Sequence, residues 1–319
     1  MIDGDEASRV GGPGRRVGRR TVLAGLGGLG ALAVAGTAGV ATGVLPGRTR
    51  LYTLLDEVLP VPTPGHGVGQ AVTGSFVSAA RRGARVGWTV AYPPGAPAGR
   101  LPVVLALHGQ GGDSSVLPAL HVPGFLADAV AAGAAPFAVA AADGGRGYWH
   151  RRRDGEDAQA MLVDEFLPLL DGLVGPSGQR LAAGAGDRIG LIGWSAGGYG
   201  ALLLGERLGA ARVAAVVAAS PALWTTAQTP VEGAFDDAAD RAAHDPFAAR
   251  DGLRRVRIRI DCGAGDPFLE ASQAFARVLD PPPVTSWGTG AHDASYWQRL
   301  LPDQLPFLAG ALSGSTPGA

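Results

Sequence analysis

The chain has 319 residues, with 27 basic and 28 acidic side chains and a formal net charge of -1. That balance leaves no electrostatic footprint for a nucleic-acid partner. A hydrophobic share of 46% with 17% charged residues allows a sizeable core and excludes a disordered chain, and a single cysteine, Cys262, excludes an intramolecular disulfide framework or a zinc ribbon.

Every basic residue is arginine, which we read as genome composition. Residues 1–20 carry five arginines against three acids. From Thr21 to Gly47 there is no charge. The Arg19-Arg20 pair followed by Thr21, Val22 and Leu23 resembles a twin-arginine export signal. Residues 1–45 are therefore expected to be that signal, either cleaved or kept as a membrane anchor through residues 21–45. The rest of the chain is then expected outside the cytoplasmic membrane, in the envelope or the medium. Residues 46–71 are rich in Pro and Gly and read as a linker with one short helical turn.

Six strands are predicted next in chain order. "VGWTVAYPP" alternates and ends in a proline turn, as an edge strand does. "LPVVLALHG", "PFAVAAADGG", "DRIGLIGWS", "RVAAVVAASPA" and "RVRIRIDCGAGD" are short apolar runs closed by turn residues. Between them lie alanine- and leucine-rich helical segments. One is "DAQAMLVDEFLPLLDGLV", with Leu162, Phe166, Leu169 and Leu173 on one face and Asp164 and Glu165 on a solvated one. Another, "GYGALLLGERLG", is closed by Gly209. Strands alternating with helices imply an α/β fold with a mainly parallel central sheet flanked by helices, over residues 72–312. Residues 313–319 read as a frayed tail.

A parallel sheet presents ligands at the carboxyl ends of its strands. Ser195 sits at such an end, in "GWSAG", a G-x-S-x-G between a predicted strand and a predicted helix. That is the context of a nucleophile elbow, where the flanking positions must be small. A serine hydroxyl needs a base, and in this order of elements the acid and then the histidine follow the serine. Of the six histidines (His66, His108, His121, His150, His244 and His292) only His292 lies after the last predicted strand. His108 precedes the glycine-rich loop "HGQGGD" and is expected to shape it. The acid should come from "RIRIDCGAGDPFLE". Asp261 is still in the strand and Glu270 already in the next helix, so Asp266, in a glycine-flanked turn, is assigned. The developing oxyanion needs donors. These are the backbone N–H of Ala196 and that of Gln110, with Gly111 as the competing choice. Tyr148, Trp149, His150 and Trp224 are candidates for the substrate pocket, with ordinary packing as the other reading. No metal-ligand spacing and no cofactor fingerprint is present, so neither is expected.

"HGQGGD", "DGGRGYWH", "GWSAGGYGALLL", "DCGAGDPF" and "GAHDASYW" occur in the same order and type as in the esterase D / mycolyltransferase branch of the α/β hydrolases. The chain resembles the exported actinobacterial esterases of that branch, over roughly residues 74–312. Many relatives carry methionine where this chain has Ala196; the donor there is backbone. The resemblance implies an α/β-hydrolase fold and a serine carboxylic-ester hydrolase with a small-molecule, lipid or glycan ester as substrate. Two alternatives remain open: an acyltransferase that moves an acyl chain to an envelope sugar, and a non-catalytic envelope-binding protein of the same fold.

Overall fold

The computed structural model describes residues 48–96 and 98–314. The expected export segment, residues 1–45, and most of the expected tail lie outside the described residues. The chain divides after Leu51, and the unit Tyr52–Ala319 holds the sheet and the candidate site. Among the described residues no helix is long and apolar enough to cross a membrane.

The stretch read as a linker contains an 11-residue helix, Arg48–Val58 (α1). From Tyr52 on it belongs to the main unit. Buried Asp56 accepts a hydrogen bond from Ser295 Oγ at 3.0 Å and pairs with Arg299. The expectation of one short turn is too small. The ion pair of buried Asp56 with Arg299, which lies late in the chain, anchors this segment, and no local sequence pattern signals that.

Among the described residues nine strands form one sheet: β1 (Ala71–Ser78), β2 (Ala84–Ala91), β3 (Gly99–Leu107), β4 (Ala138–Ala142), β5 (Gln179–Ala182), β6 (Ile189–Trp194), β7 (Val213–Ala219), β8 (Arg257–Asp261) and β9 (Val284–Ser286). The order is β1-β2-β4-β3-β6-β7-β8-β9, with β5 also pairing β3. β1 and β2 pair antiparallel, as do β2 and β4, and all other pairs are parallel. The sheet is thus mainly parallel, as expected, but β2 is not an edge strand. It is covered by β1, whose mostly exposed residues gave no apolar run to read.

Every residue of β4, β6 and β7 is buried, the mark of strands covered on both faces. On one face pack α2 (Val122–Ala131) and, at the end of the chain, Ala294–Leu312 (α6). On the other packs α3 (Ala196–Arg212), which breaks at Gly209 with φ 60°, the stop its sequence predicted. Also on that face lies the predicted helix after β4, which is a composite. A π-helical turn, Met161–Phe166, sits between helical pieces Ala158–Ala160 and Leu167–Gly172. The wider turn shifts the helical phase. From the π-helical turn on, the buried residues are Met161, Leu162, Phe166, Leu167 and Leu170, while Leu169 and Leu173 are only partly buried. Glu165 is not solvated as expected. It accepts from the Ala80 N–H at 2.9 Å and from the Ser78 hydroxyl, closing the turn after β1.

Burial lifts the carboxyl of Glu206, on α3, to about 7. The folded state therefore holds the proton more tightly than the unfolded chain. The benefit is fully present below the unfolded value and is lost as pH rises through 7. Glu206→Gln should leave Tm nearly unchanged at acid pH. At pH above ~8 it should stabilise by about 1–2 kcal/mol once solvent screening is allowed for. Thermal melts across that range check the crossover.

Candidate active site

The end of β6 is where the sequence placed a sharp turn. Ser195 has φ 56° and ψ -120° there, a strained conformation for a non-glycine residue. Its flanking glycines are required by contact. A Cβ on Gly193 would lie 2.1 Å from the Gly197 carbonyl oxygen, and one on Gly197 would lie 1.9 Å from that of Leu107. The serine N–H donates to the Ala219 carbonyl at 3.0 Å, which ties the turn to β7. Ala196 begins α3, so its N–H lies at the positive end of a long helix.

Two loops from the same end of the sheet bring the partners. After β8, "CGAGD" turns so tightly that a Cβ on Gly263 would meet the Gly290 carbonyl oxygen at 2.5 Å. Asp266 emerges buried, and its Oδ1 accepts from the Phe268 N–H at 2.8 Å. Its Oδ2 lies 2.8 Å from His292 Nδ1. His292 Nε2 lies 2.9 Å from Ser195 Oγ. An Nδ1–H that donates to the carboxylate leaves the Nε2 lone pair to accept from the serine hydroxyl. The imidazole is held between Phe268 and Trp297, each 5.3 Å away between ring centroids.

Asp261 is elsewhere. Its carboxylate is fully buried, 2.8 Å from Arg259 Nε and 2.8 Å from Gln304 Nε2. Burial raises its pKa despite Arg259. Glu270 lies in the first turn of the helix Leu269–Val278 (α5). Cys262 is no rival nucleophile, because burial and the Asp266 charge push its thiol far up.

The glycine-rich loop after β3 runs beside the serine: a Cβ on Gly109 would lie 3.5 Å from Ser195 Cβ. Gln110 is exposed, and its Oε1 accepts from the Tyr148 hydroxyl at 3.1 Å. Gly111 takes φ 75°. His108 supports the loop from below. Its Nε2 accepts from the Gly144 N–H at 2.8 Å, and its Nδ1 faces the Gly109 carbonyl at 2.7 Å. Burial lowers its pKa and so favours the neutral ring that this pattern needs.

Trp149 departs from the pocket reading. It is 2% exposed, and its indole N–H donates to the His108 carbonyl at 3.0 Å. A Cβ on Gly144 would meet its ring at 2.2 Å, and one on Gly200 its Cβ at 2.4 Å. It is a wedge between the loop and α3, not a pocket wall. Tyr148 is also largely buried but keeps its hydroxyl on Gln110. Both residues have positive φ, 56° and 62°. Trp224 is half-buried and joins an aromatic row: Tyr148 at 6.0 Å, Phe268 at 5.6 Å and, beyond Phe268, His292.

Sequence reasoning missed Asp143, which follows β4. Its carboxylate accepts from the Gly87 N–H at 2.9 Å and the Ser114 N–H at 2.8 Å, fixing the far end of the glycine-rich loop. Its place at a strand's carboxyl end was the available signal. Phe268 and Trp297, which clamp His292, had none.

Residues 79–308 match the model of the family described as "Putative esterase". This chain belongs to that esterase family. No curated protein sequence matches it. Its fold, with the mainly parallel sheet and the elbow, is that of the α/β hydrolases, and solved structures share it. A ferulic acid esterase matches with TM-score 0.63 at 23% identity, over 77% of this chain and 100% of that one. S-formylglutathione hydrolase from Agrobacterium tumefaciens matches with TM-score 0.61 at 17% identity, over 80% and 100%. The fluorophosphonate-binding serine hydrolase FphF of Staphylococcus aureus matches with TM-score 0.59 at 16% identity, over 76% and 99%.

Proposed function

We propose that this esterase hydrolyses small carboxylic esters through an acyl-enzyme on Ser195. The observation that carries the reading is the hydrogen-bonded line Ser195–His292–Asp266 at the strained turn after β6. Ser195 Oγ attacks the ester carbonyl carbon while His292 Nε2 takes its proton. Asp266 holds the ring and offsets the charge that forms on it. The backbone N–H groups of Ala196 and Gln110 receive the oxyanion. Collapse breaks the ester C–O bond, and His292 returns the proton to the departing alcohol. Water then repeats the sequence on the acyl-enzyme and frees the acid.

The aromatic row from Tyr148 through Trp224 and Phe268 to His292 supports an ester with an aromatic acid or alcohol part. The name of the ferulic acid esterase among the structural neighbours agrees with that choice. The charge-free, glycine-rich stretch behind Arg19-Arg20 supports export, with work outside the cytoplasmic membrane.

Purified protein is assayed on a short-chain aryl ester, methyl ferulate and S-formylglutathione, with and without added trehalose. The reading expects turnover of the two aryl compounds to free acid. No turnover of any ester contradicts it. Acyl-trehalose as the main product would replace hydrolysis by transfer.

A further inference from the structure

On the far side of Tyr199 from the aromatic row lies a second group of chemically able side chains. His150 follows Trp149 in the loop after β4. Asp240 lies in the helix Ala238–Ala243 (α4), and His244 caps its end. These three place one donor atom each within 4.8 Å of one another. Asp240 Oδ1 lies 2.9 Å from His244 Nδ1 and 3.5 Å from His150 Nδ1. The two rings lie 4.3 Å apart.

Hydrogen bonding around the group leaves a place for a cation. The His150 side chain is fully buried. Its Nε2 faces the Ala234 carbonyl at 3.0 Å; its Nδ1 faces the Arg151 carbonyl at 3.1 Å and the Asp240 carboxylate. All of these are acceptors, and a neutral imidazole has one N–H to give. If Nε2–H donates to Ala234, the Nδ1 lone pair points at oxygen atoms. His244 Nδ1 likewise faces only oxygen, the Asp240 carbonyl at 2.9 Å and its Oδ1. The other carboxylate oxygen is committed, since Asp240 Oδ2 accepts from the Asp236 N–H at 2.8 Å. Oδ1 is thereby aimed at the two rings. A ring N–H donating to a carbonyl is also the usual support for a metal-binding histidine.

We infer that His150 Nδ1, Asp240 Oδ1 and His244 Nδ1 form a binding site for a divalent transition ion of the zinc type. Two imidazoles and a carboxylate are the donors such an ion prefers. Bond lengths of about 2.0–2.2 Å put tetrahedral ligands roughly 3.3 Å apart, and the donors here stand at 2.9 and 3.5 Å from the shared oxygen. His244 carries its remaining proton on Nε2 when the ion is bound. The site borders a cavity of about 240 Å³ lined by the acids Asp157 and Glu206, by Arg151 and Arg207, and by both histidines, which gives an ion a way in.

The ion would add a tie between segments that already meet through arginines, the His150–Ala234 contact and the His150–Phe235 stack. Arg152 already bonds Asp236 at 2.8 Å and the Gly233 and Ala234 carbonyls at 3.0 Å. The Tyr199 hydroxyl donates to the His244 carbonyl at 2.6 Å. Tyr199 and Phe235 touch both His150 and Trp224. Occupancy would therefore stiffen the back of the aromatic row.

The test uses the full chain without a histidine tag, stripped by chelator and dialysed. Co2+ is titrated while visible d–d absorption is followed, and Zn2+ is then added in competition. The proposal expects one Co2+ per chain, an intense low-symmetry band and its displacement by Zn2+. At a hundredfold excess over Kd, Zn2+ should raise Tm by about 5–10 °C. His244→Ala and Asp240→Asn should each weaken binding by about tenfold or more, while His121→Asn, at an exposed position, should not. Absence of a stoichiometric band and of a Tm shift in the unaltered chain overturns the site, as does unchanged binding in both folded variants. Ester turnover is not the readout, so its failure would leave this result standing.

Discussion

Ser195→Ala should lower kcat on any accepted ester by about 10⁶-fold while leaving the fold intact, because members of a serine triad act as one unit. Alanine removes only Oγ. The turn itself is held by backbone, through the Ser195 N–H on Ala219 and the glycine contacts at 193 and 197. Tm should stay within about 2 °C of wild type, as for substitutions that create no cavity in the core. Residual turnover above background would come from the oxyanion donors alone. A variant that keeps a tenth of wild-type kcat would remove Ser195 from the reaction.

Asp266→Asn should cost about 10⁴-fold in kcat, the scale seen when a triad aspartate is amidated. The cause is geometric. Asp266 Oδ2 accepts from His292 Nδ1 at 2.8 Å, and Oδ1 is already occupied by the Phe268 N–H. Asparagine can keep the second bond with its carbonyl oxygen, which turns its NH₂ toward Nδ1. His292 then accepts there and places its proton on Nε2, facing the serine. Asp261→Asn is the contrasting variant. It leaves the Arg259 guanidinium, about 10% exposed, without its buried partner. Breaking such a pair costs about 3 kcal/mol or more, so Tm should fall by roughly 6–12 °C while kcat stays near wild type. Steady-state kinetics and melts on both variants separate the two aspartates.

The elements that set the site were legible because each carries a local constraint. The strand leading into Ser195 is apolar and buried at every position, and its turn needs glycine where a Cβ would meet carbonyl oxygen. Asp266 lies beyond the strand, in a turn that only small residues can make. What escaped the sequence lacks such local marks. β1 is an exposed edge, β5 has four residues and β9 three, too short for alternation to show. β2 looked like an edge because its proline turn did, yet β1 covers it. The π-helical turn moved the buried stripe by a residue, which no 3.6-residue period reveals. Trp149 reads the same whether it lines a pocket or fills a gap between two glycines. Only the packing of Gly144 and Gly200 against it decides. His150 and the Asp240–His244 pair are about 90 residues apart, so their meeting is a property of the fold.

The central claim is that Ser195 is the activated nucleophile of this site. The most direct measurement is reaction of the purified protein with a fluorophosphonate, followed by intact mass and peptide mapping. The account predicts one phosphonyl adduct per chain, on the peptide that carries Ser195, with no adduct in Ser195→Ala and strongly slowed labelling in His292→Ala. An unlabelled wild-type protein, or an adduct on another residue that persists in Ser195→Ala, would contradict it.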